Sequence, residues 1–218
     1  MAGPVDSGGS VEPLSREILT FWFGTLDLGV EMEKRQVWFR ATPEFDRYLV
    51  DHYTGVHERA AAGDLDRLKQ TAEDCLVLIM ALDQFPRNIY RGTPRAFATD
   101  AKAREVAVHA LDMGYDRGFS RWPRTFIYLP FEHSERLTDQ ERALVLYGSL
   151  GNEDSMRAAV GHHAAIKRFG RFPHRNAVLG RPNTPEEEAY LEDPPLWGKT
   201  AAEAAELEAR KAAAKGEG

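Results

Sequence analysis

Apolar positions in this chain return every three to four residues and almost nowhere alternate strictly, which is the period of helices packed by one face. Leu14, Ile18, Leu19 and Trp22 share such a face, and Gly24 follows as a residue able to close a helix in the left-handed conformation, so residues 14–23 are predicted as the first helix. Trp38 and Phe39 close a short second segment. Thr42-Pro43-Glu44 pairs an N-cap with a proline at the first helical position, and starts a long helix carrying Phe45, Leu49, His52 and Val56. Thr71-Ala72-Glu73-Asp74 resembles a capping box with Asp in place of Glu, and opens the most apolar helix, predicted to stop near Phe85 because Pro86 follows.

A Gly- and Pro-containing loop over residues 87–98 leads to a helix from about Asp100 to Met113, closed by Gly114. Thr138-Asp139-Gln140-Glu141 reads as a full capping box for a helix through Leu150, and Gly170 ends one over residues 153–169. Thr184-Pro185-Glu186-Glu187 starts another short helix. The fold class expected is all-α: antiparallel and crossing helices in an orthogonal or solenoid-like bundle, with no ~34-residue repeat legible. At 218 residues the chain suits one domain, divided into a flexible stretch over 1–12, a helical domain over 13–197, and a tail over 198–218. The tail is rich in Ala, Glu and Lys, with high helix propensity but little apolar surface to dock, and is expected to be a frayed helix or a disordered tail with no catalytic role.

Composition changes this picture in only a few respects. The formal charge of -6, from 28 basic and 34 acidic residues, gives no overall field for nucleic acid, though a local basic pocket is compatible with it. The longest apolar run, residues 75–82, falls well short of the roughly twenty residues that span a bilayer, so no membrane association is expected. Met1 opens a small, polar stretch without the features of a signal peptide, which points to the cytoplasm. Cys75 lies inside the apolar run and reads as a buried hydrophobe. Phosphate-binding loops and dinucleotide fingerprints are missing from the sequence, and no cofactor is expected.

Candidate chemistry gathers in three segments: Leu82-Asp83-Gln84-Phe85-Pro86-Arg87-Asn88, Tyr128-Leu129-Pro130-Phe131-Glu132-His133-Ser134-Glu135, and Arg168-Phe169-Gly170-Arg171-Phe172-Pro173-His174-Arg175-Asn176. On these motifs, in this order, the chain resembles the bacterial domain-of-unknown-function family numbered 924, over roughly residues 18–191. The resemblance implies a TPR-like helical architecture. It brings no established activity and no catalytic residues, so roles have to come from the residues themselves.

Asp83 falls on a face shared with Ile79 and Leu76, where a buried carboxylate needs a partner. Arg87 is the nearest, and the pair is either a helix-end salt bridge or an orienting element in a pocket. Phe85-Pro86-Arg87-Asn88 and Phe172-Pro173-His174-Arg175-Asn176 match, each joining an aromatic anchor, a rigid proline, a guanidinium and an amide. They read as two walls of one anion site or as paired structural corners, with Arg171 and Tyr128 as further contacts to a substrate.

If Pro130 is the first residue of a helix, Glu132 lies in its first turn, and aromatic walls can raise its pKa for acid or base work. His133 titrates near neutrality. Ser134 sits beside it, but adjacency in sequence does not set a base against a nucleophile. His162 shares a face with Ala159, Ile166 and Phe169 and points inward, as a core histidine or a base, with His163 turned roughly 100° away. A metal site built from Glu132, His133 and His162 lacks the usual ligand spacings, and none is expected.

Two functional classes follow. One is a small-molecule enzyme or binder in which Arg87, Asn88, Arg171, His174, Arg175, Asn176 and Tyr128 engage an anionic substrate. Glu132, His133, His162 and Asp83 then supply the acid–base chemistry, hydrolysis being the simplest case. The other is a TPR-like module that binds a peptide or protein partner in an open groove with exposed aromatics.

Overall fold

The computed structural model describes residues 11–197 and 199–216. Helix α1 (Pro13–Phe23) begins at a first-turn proline and ends where Gly24 takes φ 78°, donating its N–H to Thr20. Helix α2 (Pro43–Ala62) is capped by the Thr42 hydroxyl, which accepts from the Phe45 N–H. Its inward face carries Leu49, Tyr53, Val56 and His57. His52, expected on that face, is exposed and stacked on Tyr48 with ring centroids 3.9 Å apart, because one residue along a helix turns a side chain by about 100°.

Helix α3 (Ala72–Ile89) occupies the centre, with residues 74–86 buried without interruption and α1, α2, α4 (Asp100–Asp112) and α5 (Arg121–Glu132) packed around it. Cys75 lies within it, fully buried, and burial pushes its thiol up to about 12. The helix does not stop at Phe85. Pro86 has no N–H to give Leu82, and that carbonyl accepts instead from the Thr99 hydroxyl at 2.6 Å, so the helix passes through the proline for another turn.

Pro130 corrects the reading in the same way. It lies inside α5, which began at Arg121, so Glu132 sits in the last turn, where the dipole opposes a carboxylate. Helix α6 (Leu137–Gly148) starts ahead of Thr138, which makes no capping bond; Ser134 organises the turn, accepting from the Arg136 N–H and donating to Asp139. Helix α7 (Glu153–Phe169) packs against α6 and α5 and ends at Gly170. Helix α8 (Pro185–Glu192) carries a full capping box between Thr184 and Glu187.

The tail is helical, one of the two states expected of it. It forms α9 (Ala201–Gly216), bonded through the Ala201 N–H to the Ala41 carbonyl, with Ala204 and Leu207 buried. Of the proposed flexible stretch, residues 1–10 lie outside the described residues, and Glu12 is tied down by Asp74 and Arg67. Among the described residues no strand occurs, and no helix is long and apolar enough to cross a membrane. The chain is a single all-α domain.

Candidate active site

A cavity of about 300 Å3 opens where α3, α5, α6 and α7 meet, roofed by Leu196, Trp197 and Lys199. Its floor is titratable. Two carboxylate–imidazole pairs stand side by side there, Asp83 with His133 and Glu132 with His162, with the two imidazole rings 6.3 Å apart.

In the first pair, the His133 Nδ1 lies 2.9 Å from one Asp83 oxygen and 3.0 Å from the other. Asp83 is wholly buried on α3 and also accepts from Gln84 and pairs with Arg87 at 3.3 Å. Burial alone would raise its carboxyl, but Arg87 and His133 hold it well below the usual carboxylate range. Burial, followed by the Arg87 charge, pushes His133 down from its ordinary value, so at neutral pH the ring is uncharged. An ionised Asp83 then keeps the proton on Nδ1 and leaves Nε2 as a lone-pair base, bonded to nothing among the described residues.

In the second pair, the His162 Nδ1 stands 3.0 Å from Glu132 and 2.9 Å from the Ala158 carbonyl. Burial works to raise the Glu132 carboxyl, yet His162, His133 and the nearby Tyr147 phenol bring it below its ordinary value. The expected raised pKa is therefore reversed, because the partners outweigh the low-dielectric walls. Tyr147, buried beside Glu132 without a direct hydrogen bond, has its phenol pushed well above the ordinary value by burial and that carboxylate, and stays protonated. Trp197 stacks on His162 with centroids 3.7 Å apart, an approach that requires Gly161, where a Cβ would come within 2.9 Å of the indole.

The matched arginines meet, but not as two walls of this cavity. Arg87 pairs with Asp100 at 3.0 Å and Arg175 pairs with the same residue at 3.3 Å. Arg175 also donates to the His133 carbonyl at 3.1 Å, closing a ring of contacts through Asp83, Arg87, Asp100, Arg175 and His133. Its guanidinium lies 4.6 Å from both the Phe97 and Phe172 rings, and burial, then the Arg87 charge, lowers it to about 10, so it remains a cation. Arg175 borders a second hollow of about 380 Å3, which shares His133 with the first.

Other expected contacts lie away from the cavity. Tyr128 donates to Asp116, Arg171 clasps Glu187, and Asn176 joins Asn183 and Arg181, each a structural tie. His174 is half-buried beside Phe172 and Trp197, and desolvation, then Arg175, depresses it to about 3. Asn88 does line the cavity, bonded to Gln84 and Arg91. Ser134 donates to Asp139 and to no histidine. Gln84, Asp100, Tyr147 and Trp197 escaped the sequence reading. Tyr147 could have been found on one α6 face with Gln140 and Ala143, but nothing local marks Asp100 as the anion between two distant arginines. Among the described residues no three His, Cys, Asp or Glu side chains form a set able to hold a metal ion.

An all-α domain with a cavity floored by paired histidines and carboxylates is the class of protein that the fold and the site define. A family model described as a bacterial protein of unknown function (DUF924) matches residues 18–195, and the chain belongs to that family. It is also similar to a solved structure, that of the protein of unknown function ATU0120 from Agrobacterium tumefaciens. The two are 40% identical with a TM-score of 0.76, over 83% of this chain and 98% of that one. No curated protein matches.

Proposed function

We propose that the protein is an acid–base enzyme acting on a small anionic molecule, hydrolysis being the reaction that needs only water as co-reactant. The observation that carries this reading is His133 at the edge of a cavity, its Nδ1 2.9 Å from the buried Asp83 carboxylate and its Nε2 without a partner among the described residues. Nε2 takes a proton from water as the water oxygen bonds to an electrophilic carbon; the bond to the leaving group breaks with its electron pair, and the imidazolium returns the proton to that group. Glu132, ionised and close by, favours the transient positive charge on His133. Asp83 acts through His133 as a positioning residue. Burial of Cys75 as a free thiol suits a cytoplasmic setting, which is part of the same proposal.

The rival, a TPR-like peptide-binding module, requires exposed aromatics along a groove, whereas Trp38 and Trp122 at this cavity are buried. The test is turnover of a panel of carboxylate-bearing esters and amides by the wild type, His133→Asn and Glu132→Gln. His133→Asn is expected to lower kcat by about 100-fold or more, the usual contribution of a positioned base, with little change in Tm. Equal rates in the wild type and His133→Asn, or no turnover of any panel member, would overturn the reading.

A further inference from the structure

The cavity is polarised from mouth to floor in a way that acid–base chemistry does not require. Lys34 is exposed at the mouth and held above the rings of Phe39 and Trp122, 5.2 and 5.9 Å from their centroids. Neither Lys34 nor Lys199 makes an ion pair among the described residues. Among the described residues the Arg40 side chain pairs only with Glu208, at 3.6 Å, a contact open to water on both sides. The deeper cations are committed: Arg87 to Asp83 and Asp100, Arg91 to Asp46 and Asn88. Between mouth and floor the walls are Trp38, Trp122, Leu129, Leu196 and Trp197. The lining also holds Asp154, exposed and paired with Arg157 at 3.1 Å; in a chain of net charge -6, the unpaired charge left at this mouth is positive, a local reversal of the overall field.

We propose, building on the acid–base reading of this site, that its substrate is an amphipathic anion: one anionic head, carboxylate or phosphate, on an apolar acyl or aryl stem. The head stays at the mouth among Lys34, Arg40 and Lys199, and the stem, filling the opening, displaces water from one side of it. The stem lies along the tryptophan walls, and the bond to be broken reaches the floor at His133. Bare inorganic anions lack the apolar contact, and uncharged chains lack the lysines.

The full chain is titrated with octanoate, octyl phosphate, octanol, acetate and inorganic phosphate, following tryptophan fluorescence and calorimetric heat. Octanoate or octyl phosphate should bind at least about tenfold more tightly than octanol, acetate or phosphate, one charge-assisted contact being on that scale, and the tighter of the two identifies the head. In the double variant Lys34→Ala, Lys199→Ala, the chain-bearing anions should weaken by about tenfold while octanol is unchanged. Equal affinity for octanol and octanoate, equal affinity for phosphate and octyl phosphate, no binding by any probe, or an unaltered lysine variant overturns the proposal. His133→Asn separates the two readings. It should bind octanoate like the wild type; if the wild type binds octanoate but turns over no panel member, or if the variant turns over as fast as the wild type, the catalytic reading alone falls.

Discussion

Phe85-Pro86-Arg87-Asn88 and Phe172-Pro173-His174-Arg175-Asn176 carry nearly the same residues and end up doing different work. The first lies inside α3, where Pro86 interrupts the helix bonds without ending the helix, and Arg87 and Asn88 come round to the cavity. The second forms a short 3-10 turn, Pro173–Arg175, where His174 and Arg175 face packed rings and Asn176 is sealed against Arg181 and Asn183. Both arginines reach Asp100, yet Arg87 keeps 18% of its side chain exposed beside the cavity and Arg175 only 7%. What a motif does here depends less on its letters than on which side of Asp100 it approaches.

That contrast can be broken most directly at the buried arginine. Arg175→Ala leaves Asp100 half-compensated and removes the donor to the His133 carbonyl, so urea unfolding should show a loss of about 3–5 kcal/mol, the cost of breaking a buried pair. Arg87→Ala should cost less, because Asp83 keeps His133 and Gln84 and Asp100 keeps Arg175. Equal losses would remove the distinction drawn between the two arginines.

Acid pH sharpens it next. His174, depressed to about 3 from 6.5, binds its proton in the unfolded chain well before the folded one. Its contribution to stability is present above 6.5 and is lost as pH falls from there towards 3, at up to about 1.4 kcal/mol per pH unit. His133, also lowered, adds to the same slope. Thermal midpoints of His174→Leu should fall less steeply below pH 6.5 than those of the wild type, and parallel curves would count against a neutral, half-buried His174.

A smaller effect tests the proline of the first segment, which has no equivalent need in the second. Thr99→Val strips the Leu82 carbonyl of its donor and should destabilise by about 1–3 kcal/mol; adding Pro86→Ala restores a backbone N–H and should recover part of that. Additive losses in the double variant would mean that Thr99 does not stand in for the missing bond. The smallest effect is on a titration. Arg87→Gln should raise the His133 pKa, because the Arg87 charge helps to depress it, while Arg175→Gln should leave it nearly unmoved; histidine ring resonances followed through a pH series distinguish the two.

Much of the fold was legible because helix starts and stops are local events. Thr42 and Thr184 cap as their neighbours predict, and Gly24 and Gly170 end helices at positive φ. The same local rules failed at Pro86 and Pro130, where a helix buried among others is held by packing that outweighs one missing bond. At Glu132 the failure moved a residue from the head of a helix to its end, while its partners His162, His133 and Tyr147, and not the helix, reversed the expected direction of its pKa. In the site, Asp83, Glu132, His133 and His162 were found by type and face, whereas Arg171, Asn176 and Tyr128 were drawn in by their motifs and serve elsewhere.

By itself the chain of residues determined the helices, the apolar centre at α3 and the inward turn of His162, since each follows from neighbours within a few positions. Only the tertiary structure decided that Asp83 would choose His133, that Asp100 would stand between two arginines, and that Trp197 would roof the cavity. Those partners lie 50, 13, 75 and 35 positions apart, and pairing across such separations is settled by how helices cross, which no local pattern encodes.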